Sequence, residues 1–379
     1  MSINTTDRYE VAVIGAGQAG LAIGHFMALQ RRRFVILEAE ASVASAWRTR
    51  WDSLVLFTPR RRDSLPGRAF PGDPDSYPTR DEVIAYLDDY AEALALPVQP
   101  DSAVRSLRKN GDTFELVLDD RMVEADQVVV ATGPFQRPRL PKFANHLDPS
   151  VFQIHSANYR SPAEVPQGTV VVVGGGNTGY QIARELASTH DVHLAVSGRQ
   201  TPLPQRLLGR DIFWWLLKMR VHQATVESRL GKKLRTRGTL IGSSPRALKR
   251  DGVEMRPRAT AASDRIVTFT DGSQLGVDAV IWATGFELDH SWIEPAVKDE
   301  KGAIQHRRGV TPVEGLYFLG LPWQYTRGSA LLGWVKDDAE YIAEQIAASS
   351  QSAEQAAEPG QTTDAARPRR DINKGLRSR

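Results

Sequence analysis

The chain contains no cysteine among its 379 residues. That excludes disulfides, thiolate-bound metals and any electron relay through a redox-active dithiol. Long apolar runs are also missing: no stretch reaches the roughly 20 residues needed to cross a bilayer. Met1 to Glu10 has no apolar signal core, so a cytoplasmic location is expected. The eight histidines are scattered, without HExxH spacing or pairs, and no metal is expected. No G-x-S-x-G elbow is present, which sets aside the common serine hydrolase arrangement. Neither sign of charge dominates. The formal net charge is +3, and residues 351–379 supply two of those charges, with six basic residues against four acids. A weak basic excess in a tail gives no reason to expect nucleic acid.

What is present is a repeated pattern. Tyr9 to Ile14 is an apolar Val/Ile run that reads as a buried parallel strand. GAGQAG follows at 15–20, then Leu21 to Leu29 with helical spacing, then Phe34 to Leu37 as a second strand ended by Glu38. The order returns with Thr169 to Val173, GGGNTG at 174–179, a helix over Tyr180 to Ala187, and a strand over Val192 to Val196. The two glycine motifs start 159 residues apart, at Gly15 and Gly174, which indicates duplication of a fold unit and not a solenoid. Each unit is followed by a strand ending in Ala-Thr-Gly: Asp126 to Ala131 with Thr132-Gly133, and Asp278 to Ala283 with Thr284-Gly285. The expected fold class is α/β, with two Rossmann-like dinucleotide-binding domains and the second inserted in the first.

The glycines carry chemistry. In GxGxxG the first makes the turn, the second lets backbone approach a pyrophosphate, and the third lets helix and strand pack closely. Gly15, Gly17 and Gly20 meet this pattern around Gln18 and Ala19. Gly174, Gly176 and Gly179 meet it around Asn177 and Thr178. Glu38 lies 23 residues after Gly15, near the spacing of about 20 at which a carboxylate accepts ribose hydroxyls. FAD and NAD both fit such a site. The second unit has Ser197 and Arg199 in the corresponding place and no acid. A hydroxyl and a guanidinium suit a 2′-phosphate, which points to NADPH. FAD in the first unit and NADPH in the second satisfy both readings. Against these stand the plain alternatives that Glu38 and Arg199 are surface charges in turns.

The segment Trp47-Arg48-Thr49-Arg50-Trp51 running on to Pro59, together with VVVGGGNTG at 171–179, Trp282 to Phe286 and Gly320 to Trp334, resembles class B flavin-containing monooxygenases. The likeness is to a bacterial branch similar to plant YUCCA enzymes and spans roughly residues 8–347. It implies FAD reduced by NADPH, a C4a-(hydro)peroxyflavin, and insertion of one oxygen of O2 into a small organic substrate at N, S or a carbonyl carbon. It implies cofactor contacts from Trp47 and Arg48, from Val104, from Ala131, Thr132 and Gly133, from Thr284 and Gly285, and from Gly320. In mammalian-type members an asparagine sits beside the flavin; here that place falls on Phe57 or Thr58. The family motif FxGxxxHxxx(Y/F) is half kept, with His155 and Tyr159 at the right spacing and Pro149 and Val151 in the Phe and Gly positions. His155 reads as a hydrogen-bonding linker residue and not as a proton donor.

The expected division is 1–160 with 286–349 for FAD, 165–285 for NADPH, and a disordered tail over 350–379. A dimer is left open. The aromatic run Phe213-Trp214-Trp215 with its basic neighbours reads as a local packing module; a gate or substrate wall is the sharper reading, and membrane contact is not expected. Two other functions remain: an NADPH-dependent flavin reductase or oxidase without oxygen insertion, and a non-catalytic nucleotide sensor.

Overall fold

The computed structural model describes residues 6–357 apart from Arg199, Arg237 and Lys301. Two sheets form its centre, the first mixed and the second wholly parallel. In the first, strands run in the order Val98–Gln99, Phe34–Leu37, Thr6–Ile14, Met122–Val130, Thr113–Val117, Ser106–Asn110, and Leu316–Phe318 also pairs with Met122–Val130. In the second the order is Glu254–Arg256, Asp191–Ala195, Thr169–Val173, Ala279–Trp282, Phe152–His155, all parallel.

The continuous apolar runs become strands because both faces are covered. Phe34–Leu37 is buried at every position, and so is Ala279–Trp282. The helix Gln18–Leu29 covers one face of the first sheet and packs with the long helix Val335–Ala357 in a core that includes Leu21, Met27, Val335 and Ile342. The helix Asn177–Leu186 does the same for the second sheet through Tyr180, Ile182 and Leu186.

Two segments near the expected boundaries are placed by their partners. Phe152–His155 pairs with Ala279–Trp282, in register from Phe152 opposite Ala279 to His155 opposite Trp282. It is an edge strand of the second sheet. The tail does not begin at 350, because the last helix continues through Ala357. Ser350 explains the continuation: its hydroxyl accepts from Arg32 at 3.1 Å and from Gln127 at 3.0 Å, fastening the helix to the first sheet. Residues 358–379 lie outside the described residues.

The two units are stitched where their Ala-Thr-Gly turns end. Arg137–Pro138 pairs antiparallel with Phe286–Glu287, and the Phe135 and Phe286 rings meet edge-on at 5.2 Å. Residues 201–250, between Asp191–Ala195 and Glu254–Arg256, form a separate module of short helices and ribbons.

Candidate functional site

The glycines of the two loops have distinct surroundings. A Cβ on Gly20 would overlap the Gly15 carbonyl, and one on Gly179 would overlap the Gly174 carbonyl, so helix and strand touch there. Gly15 (φ 104°) and Gly174 (φ 144°) sit in backbone conformations that favour glycine. Each lies against the carbonyl of an Ala-Thr-Gly turn, Ala131 for Gly15 and Ala283 for Gly174. The repeated alanine is thus the packing partner of the repeated glycine. Gly17 and Gly176 are different: a Cβ on either meets nothing within 4 Å. Both are helix N-caps, neither helix start is capped by a side chain, and neither first turn holds an acid. Free N–H groups at an open, uncapped helix start make a cradle for an anionic pyrophosphate.

Glu38 is 5% exposed. One carboxylate oxygen accepts the Ala16 N–H at 2.7 Å, and the other accepts the Glu40 N–H at 3.2 Å and the Ser45 hydroxyl at 3.1 Å. It therefore stands over the first glycine loop. Ser102 donates its N–H to the Glu38 carbonyl at 2.7 Å, which brings the segment holding Val104 beside it. In the second unit the corresponding neighbour of the loop is neutral. The Gln200 amide faces Gly175, where an added Cβ would lie 2.7 Å from Nε2. Ser197 is exposed, and Arg199 lies outside the described residues. Gln200 was not legible as a site residue, since a lone glutamine after a strand carries no motif. Asn177 turns inward, its Oδ1 accepting the Ile241 N–H at 3.1 Å, while Thr178 is half-buried.

Gln18 ties the first loop to the end of the chain. Its amide donates to the Ala330 carbonyl at 2.9 Å and its Oε1 accepts the Trp47 indole N–H at 2.9 Å. Gly320 closes on Ala19 at φ 83°. Gly133 and Gly285 both turn at positive φ with open space at the Cβ position. Thr132 and Gly133 are held by Gln136, whose amide reaches the Thr132 hydroxyl at 3.0 Å and the Gly133 carbonyl at 2.9 Å. The Thr284 carbonyl accepts from the Arg139 guanidinium, at 2.9 Å from Nη2. The Arg48 guanidinium pairs with Asp88 at 2.6 Å and donates to the Val43 carbonyl at 3.1 Å.

His155 is 6% exposed and both ring nitrogens are engaged. Nδ1 accepts the Ala157 N–H at 3.1 Å, so the proton is on Nε2, which donates to the Gly285 carbonyl at 3.1 Å. Burial holds its pKa below the usual histidine range. Tyr159 is fully buried and donates to Glu185 at 3.0 Å. Both residues are structural pins at the junction. Next to them lies Arg50, 9% exposed, whose guanidinium sits 4.1 Å from the Phe135 ring centre and 5.4 Å from that of Phe286.

The two flavin-side candidates have distinct surroundings. Phe57 stacks on Phe213 and shares a cluster with Ile212, Ile241, Leu203, Leu216 and Trp334. That cluster draws on both units. Thr58 is buried, and its hydroxyl bonds Asp63 at 2.5 Å. Asp63 is wholly buried, its other carboxylate oxygen has no partner, and burial pushes its carboxyl up to about 8. Among the described residues no group of three or more His, Asp or Glu is placed to hold a metal, and no helix is long and apolar enough to cross a membrane.

Residues 12–208 match the family described as pyridine nucleotide-disulphide oxidoreductase. An uncharacterised CzcO-like oxidoreductase of Geobacillus kaustophilus is 44% identical over 340 residues, covering 89% of this chain and 98% of that protein. The indole-3-pyruvate monooxygenase YUCCA4 of Oryza sativa subsp. japonica is 29% identical, covering 73% of each. Among solved structures, a flavin-containing monooxygenase from Stenotrophomonas maltophilia is 29% identical with a TM-score of 0.76, covering 90% of this chain and 99% of that one. With two open glycine cradles in place, the protein is an oxidoreductase that uses FAD and NADPH. The chain belongs to the pyridine nucleotide-disulphide oxidoreductase family, as a member with no cysteine to run a disulfide relay of its own.

Proposed function

We propose that the protein is a monooxygenase, with FAD in the Gly15–Gly20 cradle and NADPH in the Gly174–Gly179 cradle. When bound, FAD reduced by NADPH activates O2, so that one oxygen atom enters a small organic substrate and the other leaves as water.

The chain's own part is binding, orientation and exclusion of water. Glu38, its carboxylate over the first loop, accepts ribose hydroxyls and repels a 2′-phosphate. The neutral Gln200 and exposed Ser197 place no such repulsion on the second. Gln18 and Trp47 fix the loop against the 320–334 segment. Phe57, Phe213 and Trp334 form an apolar wall between the units, and an apolar wall keeps water from a reactive site. This wall, built from both units in a chain without cysteine, is the observation that carries oxygen transfer over disulfide chemistry.

One observation favours a second reading. Phe57 offers no side-chain hydrogen bond and the Thr58 hydroxyl is taken by Asp63, so neither supplies a free polar group beside the ring. That suits an NADPH reductase passing electrons to an acceptor such as a quinone. The decisive experiment gives the FAD-loaded enzyme NADPH, isotopically heavy O2 and a panel of thioethers, amines and cyclic ketones. One heavy oxygen atom in a product supports the monooxygenase. Heavy H2O2 alone, with rapid anaerobic quinone reduction, establishes the reductase.

A further inference from the structure

The module between the second and third strands of the nucleotide fold carries an exposed apolar and basic face. Residues 206–220 read RLLGRDIFWWLLKMR, with Arg206, Arg210, Lys218 and Arg220 against the single acid Asp211. Arg206–Leu207 pairs with Arg210–Asp211 in a tight ribbon whose two-residue tip is Leu208-Gly209. Both tip residues have positive φ, 49° and 74°. Such turns take Asn or Gly, and a leucine there is strained. Leu208 gains no burial in return, since it is 82% exposed.

Its neighbours extend the apolar surface. The Trp215 indole donates to the Leu207 carbonyl at 2.9 Å, which lays the helix Ile212–Lys218 against the ribbon. Met219, one helical turn after Trp215, is 61% exposed, and Leu207 is 43% exposed. Cations frame this patch. Lys218 lies 4.9 Å and Arg210 5.7 Å from the Trp214 ring centre. The one acid is occupied: Asp211 accepts from Tyr77 at 2.5 Å and from the Phe213 N–H at 2.7 Å. The opposite side is anchored, with Phe213 buried against Phe57 and Trp334. So Phe213 is the packing residue that the sequence suggests, while the ribbon tip and the helix end project outward.

We propose that this face docks on the surface of an anionic lipid bilayer, contrary to the expectation from sequence. Leu207, Leu208 and Met219 enter the acyl boundary, Trp214 and Trp215 lie at headgroup level, and Arg206, Arg210, Lys218 and Arg220 meet lipid phosphates. Charge selects the lipid over a second copy of the chain. A twofold contact would set the same net positive patch against itself, and the neighbouring acid Asp75 is already paired with Arg61. The docking is independent of what the flavin does.

The test is co-sedimentation of the full-length, FAD-loaded protein with vesicles of phosphatidylcholine, alone or with phosphatidylglycerol as about a quarter of the lipid. Binding is expected only to the anionic vesicles and should weaken as salt rises. Leu208→Asn suits the turn and removes the apolar tip; combined with Met219→Gln it should weaken binding about tenfold or more, with no loss of melting temperature and NADPH oxidation unchanged. Absence of binding to anionic vesicles overturns the proposal. So does binding that survives the double variant, which assigns it to another segment. A dimer in solution that the double variant breaks also overturns it, by making the face a protein interface.

Discussion

The Phe57 ring lies 6.1 Å from the Phe213 ring and within 10° of parallel. The two residues come from different nucleotide-binding units, 156 positions apart in sequence. Their contact is the wall on which the proposed oxygen chemistry depends. Gln205 reinforces it by donating its amide to the Phe57 carbonyl at 2.7 Å. Truncating Phe213 should open the wall at a cost of about 3 kcal/mol in stability. Denaturant unfolding of Phe213→Ala against the parent measures that cost.

The glycines within one motif should fail in different ways. Gly17→Ala places its methyl in open space within the cradle, so the fold should persist and flavin should be lost. Gly20→Ala drives its methyl into the Gly15 carbonyl, so the protein should be destabilised before cofactor enters the question. Melting temperature and retained flavin absorbance, read together, separate the two. Equal melting losses in both variants would contradict the assignment of the open cradle. The same contrast is expected for Gly176 and Gly179, with NADPH affinity as the readout.

Cofactor choice in the second cradle should turn on charge. Ser197→Glu introduces a carboxylate two positions beyond the strand Asp191–Ala195, one position later than Glu38 stands after its strand. It should repel the 2′-phosphate of NADPH and accept ribose hydroxyls of NADH. The ratio of kcat/KM for NADPH to that for NADH should fall by roughly tenfold or more. An unchanged ratio would show that the 2′-phosphate lies elsewhere.

Asp63 should leave a mark on pH-dependent stability. Its carboxyl is raised from 3.8 to about 8 by burial. Between those values the folded state holds a proton that the unfolded chain has released. Stability is therefore greatest below the unfolded value and falls as pH rises toward the folded one, by at most about 1.4 kcal/mol per unit. Asp63→Asn keeps the shape, still accepts from the Thr58 hydroxyl, carries no titrating proton, and should flatten the slope over that window. Urea midpoints across the window check it; parallel slopes for the two proteins would contradict it.

Much of the frame was readable because its signals are local. Phe34–Leu37 and Thr169–Val173 were bounded correctly from apolar runs alone. The glycine motifs were readable because backbone conformation and close packing permit few alternatives. The pairing of Phe152–His155 was not legible because it is an edge strand whose alternate residues Phe152 and Ile154 are only half-buried, so periodicity gives little warning of its partner. The ion pair of Arg48 with Asp88, 40 residues away, is a tertiary choice that its neighbour Trp47 does not announce. Gln200, Gln136 and Asp63 escaped for the same reason: their roles arise from what the fold brings to them. The ribbon tip at Leu208 was hidden because exposure, unlike hydrophobicity, is not written in the residue type.

The central claim is that the wall between the units guards an oxygen-transferring site. The measurement is the rate of H2O2 release after the FAD-loaded enzyme is reduced with NADPH and mixed with O2, for the parent and for Phe213→Ala. The account predicts slow release from the parent and release faster by about tenfold or more from the variant. Fast, stoichiometric release from the parent, unchanged in the variant, would contradict it.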